Sequence, residues 1–167
     1  VTPIRISTHA IEQAMGRYPR IDDCEAFAYT LDGHLCAAFR FVSAGITWIY
    51  DATTNAWHER QSNWPLESWQ AAGSAQAYGK TWTQNPDTGA IGELSPTIYS
   101  EWGNTIRREW TYQSIYDNGR RIQHRSVEIA LETGVGPLAG EEPAGRLEMS
   151  NDGGRTFINL PERKIGN

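Results

Sequence analysis

Residues 150–157 read Ser-Asn-Asp-Gly-Gly-Arg-Thr-Phe, and their types suit one local task. A carboxylate at Asp152 accepts hydrogen bonds from the amides of a turn, Gly153 and Gly154 permit positive φ, and the hydroxyls of Ser150 and Thr156 brace the loop. Phe157 then anchors the returning strand. That chemistry holds a hairpin together and transforms no substrate. The second concentration of chemistry-bearing residues is cationic: Arg107, Arg108, Arg120, Arg121 and Arg125 are offset only by Glu109 and Asp117 between Asn104 and Arg125. Guanidinium forks bind carboxylates and phosphates bidentately and lose little water at interfaces. The stretch therefore suits contact with an acidic or phosphate-bearing partner, or else forms a solvated face paired with nearby carboxylates.

The pattern at Ser150, Asp152, Gly154, Thr156 and Phe157 resembles the Asp box, S-x-D-x-G-x-T-W/F, with Phe157 at the usual Trp position. In families that carry it, the Asp box braces hairpins away from catalytic centres. It occurs in sialidase propellers, so a glycosidase is the enzymatic alternative. Such an enzyme needs arginines converging on a carboxylate and a Tyr nucleophile with a partner carboxylate. Tyr99, Tyr112 and Tyr116 are the candidates, but nothing sets them at diagnostic positions. His9, His34, His58 and His124 have no metal-ligand spacing, and Cys24 and Cys36 lack that of a zinc ribbon. No nucleophile elbow, dinucleotide-binding or phosphate-loop pattern occurs. The expectation is a protein without catalytic residues, metal or cofactor.

The elements that position these residues are short and mostly extended. Thr8 can cap a helix, because Ile11, Ala14, Met15 and Tyr18 fall at helical spacing and Pro19 ends the pattern; a short helix is expected over 7–18. From Cys24 the period changes to β. CEAFAYTL and HLCAAFRFV flank Asp32-Gly33, a two-residue type I′ signal. Pairing Leu31 with His34 sets Tyr29 against Cys36, Phe27 against Ala38, Ala26 against Phe39 and Cys24 against Phe41. Both faces of that hairpin are then apolar, which predicts cover on both sides and two free, buried thiols. A second hairpin is expected from ITWIYD and AWHERQS, completing a blade-like unit over 24–61. A third pairs Lys80–Thr83 with Ala90–Leu94. Thr47-Trp48 and Thr81-Trp82 align at an offset of 34 residues, which also aligns Asp51 with Asn85. Repeated β units at such an interval mark β-propellers. Further hairpins are expected over 75–132, with 105–114 and 120–132 as strands, then a mobile Gly/Pro-rich loop at 133–143 and the Asp-box hairpin at 145–160.

The chain of 167 residues carries 15 basic and 20 acidic residues, a net charge of −5, which argues against a basic nucleic-acid-binding surface over its whole length. Seven Trp, seven Tyr and four Phe argue for a packed core. No apolar run approaches the ~18 residues of a membrane span. The expected class is all-β: one β-rich domain over 1–167, made of propeller-like antiparallel four-stranded sheets. With Val1 first and Lys-Ile shortly before the end, a fragment of a longer chain is expected.

The order of motifs carries a family resemblance. Ser7-Thr8-His9-Ala10-Ile11-Glu12 is followed by Arg20-Ile21-Asp22-Asp23-Cys24, Leu31-Asp32-Gly33-His34, Thr47-Trp48-Ile49-Tyr50-Asp51, Trp57-His58-Glu59-Arg60 and Gln76-Ala77-Tyr78-Gly79-Lys80, and the 150–157 segment closes the series. This run resembles the packaged-DNA stabilisation (tail hub) proteins of short-tailed bacteriophages and prophages. The resemblance implies a non-enzymatic virion protein that assembles below the portal and its adaptor ring, helps retain packaged DNA and carries the tail needle or spikes. It also implies self-association in a ring, only indirect dealings with DNA, and residence in the virion tail after assembly in the bacterial cytoplasm. The alternative from a different class is a carbohydrate-binding or sialidase-like propeller module, for which Trp64, Trp69, Trp102 and Trp110 are the candidate platforms.

Overall fold

The computed structural model describes residues 2–63, 66–118, 120, 122–131 and 143–165. They fall into two compact units, one ending at Ile106 and one beginning at Arg107, where the sequence had suggested one domain. The secondary structure is mostly antiparallel β with one short helix. No helix among the described residues is long and apolar enough to cross a membrane.

In the first unit, helix α1 spans His9–Met15. The Thr8 hydroxyl caps it by accepting from the Ile11 amide at 3.3 Å, and Ile11 is its buried residue. The helix is shorter than the expected 7–18 because the chain turns at Gly16 with its amide on the Glu12 carbonyl, before the Tyr18 position is reached.

Strands β1 (Cys24–Leu31), β2 (His34–Phe41), β3 (Ile46–Asp51) and β4 (Ala56–Glu59) form a four-stranded meander. Every pair expected from the Asp32-Gly33 turn is present, from Leu31↔His34 to Cys24↔Phe41. Asp32 and Gly33 adopt φ of 50° and 81°, the left-handed pair that a type I′ turn demands. Short β5 (Gln61–Ser62) and β6 (Glu67–Ser68) pair with each other. A second meander then follows: β7 (Ser74–Ala77), β8 (Lys80–Gln84) and β9 (Ile91–Leu94). β10 (Ser100–Glu101) and β11 (Asn104–Thr105) close the unit.

The core lies on one face of the first sheet, where Tyr29, Cys36, Ala38 and Ile49 pack under Trp69 and Ala71. The rings of Phe27 and Tyr29 lie 5.8 and 5.6 Å from that of Trp69, and the Arg60 guanidinium sits 4.5 Å over it. The Trp69 backbone is held as well. Its amide donates to the buried Thr47 hydroxyl at 2.9 Å, and its carbonyl accepts from Arg40 Nε at 2.9 Å.

The opposite face corrects the expectation of cover on both sides. Phe41 is buried against Tyr18, and Phe39 is half-buried beside Trp57, but Ala26, Ala28 and Leu35 are exposed. Residues 6–18 shield the β3–β4 side, through Trp57 Nε1 on the Ile6 carbonyl and Trp48 Nε1 on the Tyr18 hydroxyl, and the Phe41 end of β2, leaving the middle of β1 open. The small alanines of β1 offer too little surface to recruit a second layer. Both cysteines are free, Cys36 buried but Cys24 only half-buried at the start of β1.

In the second unit, β12 (Ala144–Gly145) pairs with β15 (Arg163–Lys164), and β13 (Glu148–Met149) pairs with β14 (Ile158–Asn159) around the 150–157 loop. The strands expected over 105–114 and 120–132 do not form: among the described residues, 106–117 and 122–131 join no sheet. Strand preference expresses packing against neighbours, and here Trp110, Tyr112, Ile115 and Tyr116 have no layer over them. The turn between these segments does form, with Asn118 at φ 44° and the Arg120 amide on the Asp117 carbonyl. The loop expected at 133–143 falls, apart from Pro143, outside the described residues.

Removing the ring that caps the core should be costly. Trp69→Ala is expected to lower stability by about 3–5 kcal/mol, read as a drop in the urea midpoint of the full chain, with Trp69→Phe losing less. Gly92→Val should also destabilise, by roughly 1–3 kcal/mol, because a Cβ at Gly92 comes within 2.9 Å of the Trp102 ring.

Candidate functional site

Three loops use the same side-chain device. Asp51 ends β3 and accepts from the Thr53 amide at 2.9 Å, the Thr54 hydroxyl at 2.6 Å and His34 Nδ1 at 2.7 Å. Asn85, buried after β8, accepts from the amides of Asp87 and Thr88 at 2.9 and 3.0 Å. At the Asp-box position, Asp152 accepts from the amides of Arg155 and Thr156, both at 2.9 Å, and from the Thr156 hydroxyl at 2.6 Å. The Ser150 hydroxyl donates to Asp152 and accepts from the Gly154 amide, each at 2.8 Å. Phe157 stands about half exposed behind this loop. Thr54, with His34 and the turn amides, holds the Asp51 carboxyl well below the usual carboxylate range; Thr156, the amides and Ser150 do the same for Asp152. A carboxylate this saturated with donors is a brace, not a general base. The shared offset of Asp51 and Asn85 shows that the 34-residue alignment tracks a recurring structural role.

The titratable groups near the core are likewise engaged. Burial pushes the Tyr29 hydroxyl and the Cys36 thiol up, so each keeps its proton, and Arg60 Nη1 donates to the Tyr29 hydroxyl at 3.3 Å. Burial, with the Arg60 charge beside it, holds His58 below its ordinary value. Among the described residues no group of three or more His, Cys, Asp or Glu side chains is arranged for a metal ion.

The arginines lie on the segments that join no sheet. Arg107 Nη2 pairs with Glu109 at 2.9 Å, while Arg108, Arg120 and Arg125 are exposed; Arg121 lies outside the described residues. Around them the apolar side chains face water: Trp110 is 68% exposed, Tyr112 88%, Tyr116 77% and Val127 62%. Arginine, Tyr and Trp are the residue types enriched at the cores of protein–protein interfaces. This surface is the candidate site. The sequence signal that pointed to it was charge; the alternation of Trp110 and Tyr112 with Glu109, Thr111 and Gln113 was a second one.

The tryptophans offered for glycan stacking are mostly committed elsewhere. Trp69 is 3% exposed and donates Nε1 to Glu101 at 2.6 Å; Trp102 donates to the Gln70 carbonyl at 2.9 Å. Trp64 lies outside the described residues; among the described members of the set, Trp110 is the solvent-facing ring.

Acid should weaken the chain in two steps. A group with a depressed folded pKa favours folding above its unfolded value and loses that contribution as pH falls. His58 therefore gives a small loss as pH drops below ~6.5, and Asp51 with Asp152 a larger one below ~4. Urea midpoints measured across pH should show both, with His58→Gln removing the upper step and Asp51→Asn shrinking the lower.

In comparisons with known proteins, the chain matches no protein-family model, no curated protein and no solved structure.

Proposed function

We propose that this chain is a non-enzymatic structural protein of a bacteriophage virion, part of the tail hub or neck, which helps stabilise packaged DNA and attaches tail parts to the portal-adaptor assembly. The observation that carries the proposal is the set of exposed arginine, aromatic and aliphatic side chains among the described residues of 106–131, whose composition suits burial against protein partners. The ordered motif series from Ser7 to Phe157 supplies the family, and with it the virion tail as location, host cytoplasm as the place of assembly, and a ring of copies as the working form.

The sheets suit such a role. Two meanders that repeat the Thr-Trp pair and the Asp/Asn brace at a spacing of 34 residues are what successive propeller blades would look like, and we read them as propeller-like. Side-chain clamps on loop backbones make a stiff block, and stiffness lowers the entropy lost on assembly. Contact with DNA is indirect on this reading, since the body up to Ile106 carries eleven acidic against six basic residues.

The test is binding of the full chain to portal-adaptor rings, followed by mass photometry. A defined complex is expected. Val127→Asp with Ile129→Asp should weaken it by about tenfold or more while leaving the urea midpoint unchanged, because both side chains are already in water. No complex with any such ring, or one indifferent to these changes, rejects the proposal.

A further inference from the structure

Three hairpins close on two-residue turns with a left-handed backbone at both positions: Asp32-Gly33 between Leu31 and His34, Tyr78-Gly79 between Ala77 and Lys80, and Trp102-Gly103 between Glu101 and Asn104. Such type I′ turns favour Asn, Asp or Gly at the first position, because a left-handed backbone crowds a larger side chain. Asp32 meets that preference. Trp102, at φ 49°, departs from it and is compensated inside the fold: its ring lies over Gly92, and its Nε1 donates to the Gln70 carbonyl at 2.9 Å. Tyr78 departs as far, at φ 56°, and is 96% exposed. Among the described residues its ring and hydroxyl have no partner.

A single exposed tyrosine is ordinary; one held in a strained backbone with nothing inside the fold to offset it is not. The stem beneath it is stiff. Trp82 Nε1 donates to the Ala77 carbonyl, just before the turn, at 3.1 Å. Lys80 Nζ, just after it, meets Glu93 at 2.7 Å and lies 5.8 Å over the Trp82 ring. The turn thus presents a ring with only two side-chain torsions to lose, on a stem fixed in advance, which lowers the entropy cost of docking. Between Gln76 and Lys80 the one charge is the Lys80 ammonium, and Glu93 already meets it. That balance disfavours a phosphate- or carboxylate-bearing ligand and favours an uncharged pocket.

We infer that Tyr78 is a binding anchor: the β7–β8 tip enters an apolar pocket on a protein partner, with a hydrogen-bond acceptor at its floor for the phenol hydroxyl. A tyrosine seated this way carries a large share of an interface's energy, and its hydroxyl takes a partner once buried. The left-handed backbone is then the cost of holding a large ring clear of the hairpin. The inference rests on the reading of the chain as an assembly component. It adds a contact on the first unit to the exposed side chains of 106–131.

Two substitutions in the full chain separate binding from folding and the ring from its hydroxyl. Tyr78→Asn suits the left-handed turn, so the urea midpoint should rise. Binding to portal-adaptor rings, titrated by mass photometry, should nonetheless weaken by about tenfold or more. Tyr78→Phe keeps the ring and should weaken binding less than Tyr78→Asn does. A midpoint that falls in Tyr78→Asn would mean that the ring packs within the chain, and it overturns the inference. So does a neutral oligosaccharide, maltoheptaose, that binds the wild-type chain and not the Tyr78→Asn variant, since the tip would then be a sugar platform. A ring complex weakened by Val127→Asp with Ile129→Asp but indifferent to Tyr78→Asn rejects the inference and leaves the functional proposal standing. No complex from the wild-type chain rejects both.

Discussion

A tryptophan held by its backbone organises the first unit. Trp69 lies on a connecting segment, and burying such a segment leaves main-chain polar groups that must find partners, each costing about 1–3 kcal/mol if orphaned. Thr47 takes the amide and Arg40 the carbonyl. The next residue is served in the same way, with the Gln70 amide on the Ser62 hydroxyl and the Gln70 carbonyl on Trp102 Nε1. Arg40 is itself buried, and Glu25 on the neighbouring strand balances its charge at 2.7 Å. The ring can then settle on Phe27 and Tyr29 with Arg60 across it. The polar residues that interrupt the apolar face of the first sheet are therefore what lets that face be covered.

The same economy appears in the loops. Asp51, Asn85 and Asp152 each fold a connection onto a single side chain by giving its amides an acceptor that moves with them. Hairpins closed this way need little core of their own, which suits the second unit, whose β12–β15 strands are two residues each. The result is a set of self-contained hairpins beside segments, among the described residues of 106–131, whose aromatic and aliphatic side chains are exposed.

Much of the first unit was legible in the sequence. The Asp32-Gly33 turn sets the register of its hairpin because only one pairing closes a two-residue type I′ loop, and all the expected pairs are found. The Thr-Trp repeat located β3 and β8, and the Thr8 cap located the start of α1. The braces at Asp51 and Asn85 were visible only as an alignment, since which donors a carboxylate meets depends on the turn it closes. Thr47 and Arg40 gave no warning of their role, because their partner lies 22 and 29 residues away on a segment without regular structure.

What the sequence by itself determined is local: turn types, strand period, register, the helix cap and the Ser150-Asp152-Thr156 brace, all of which close within a few residues. What only the tertiary structure decided is which faces are covered. Ala26 and Ala28 stand in solvent although the hairpin is apolar on both sides, and among the described residues 106–117 joins no sheet although a strand was expected there. The reason is physical. Periodicity records which side of a ribbon prefers to leave water, whereas burial needs a second surface of matching shape, and its position is a property of the whole fold and of whatever the fold assembles with.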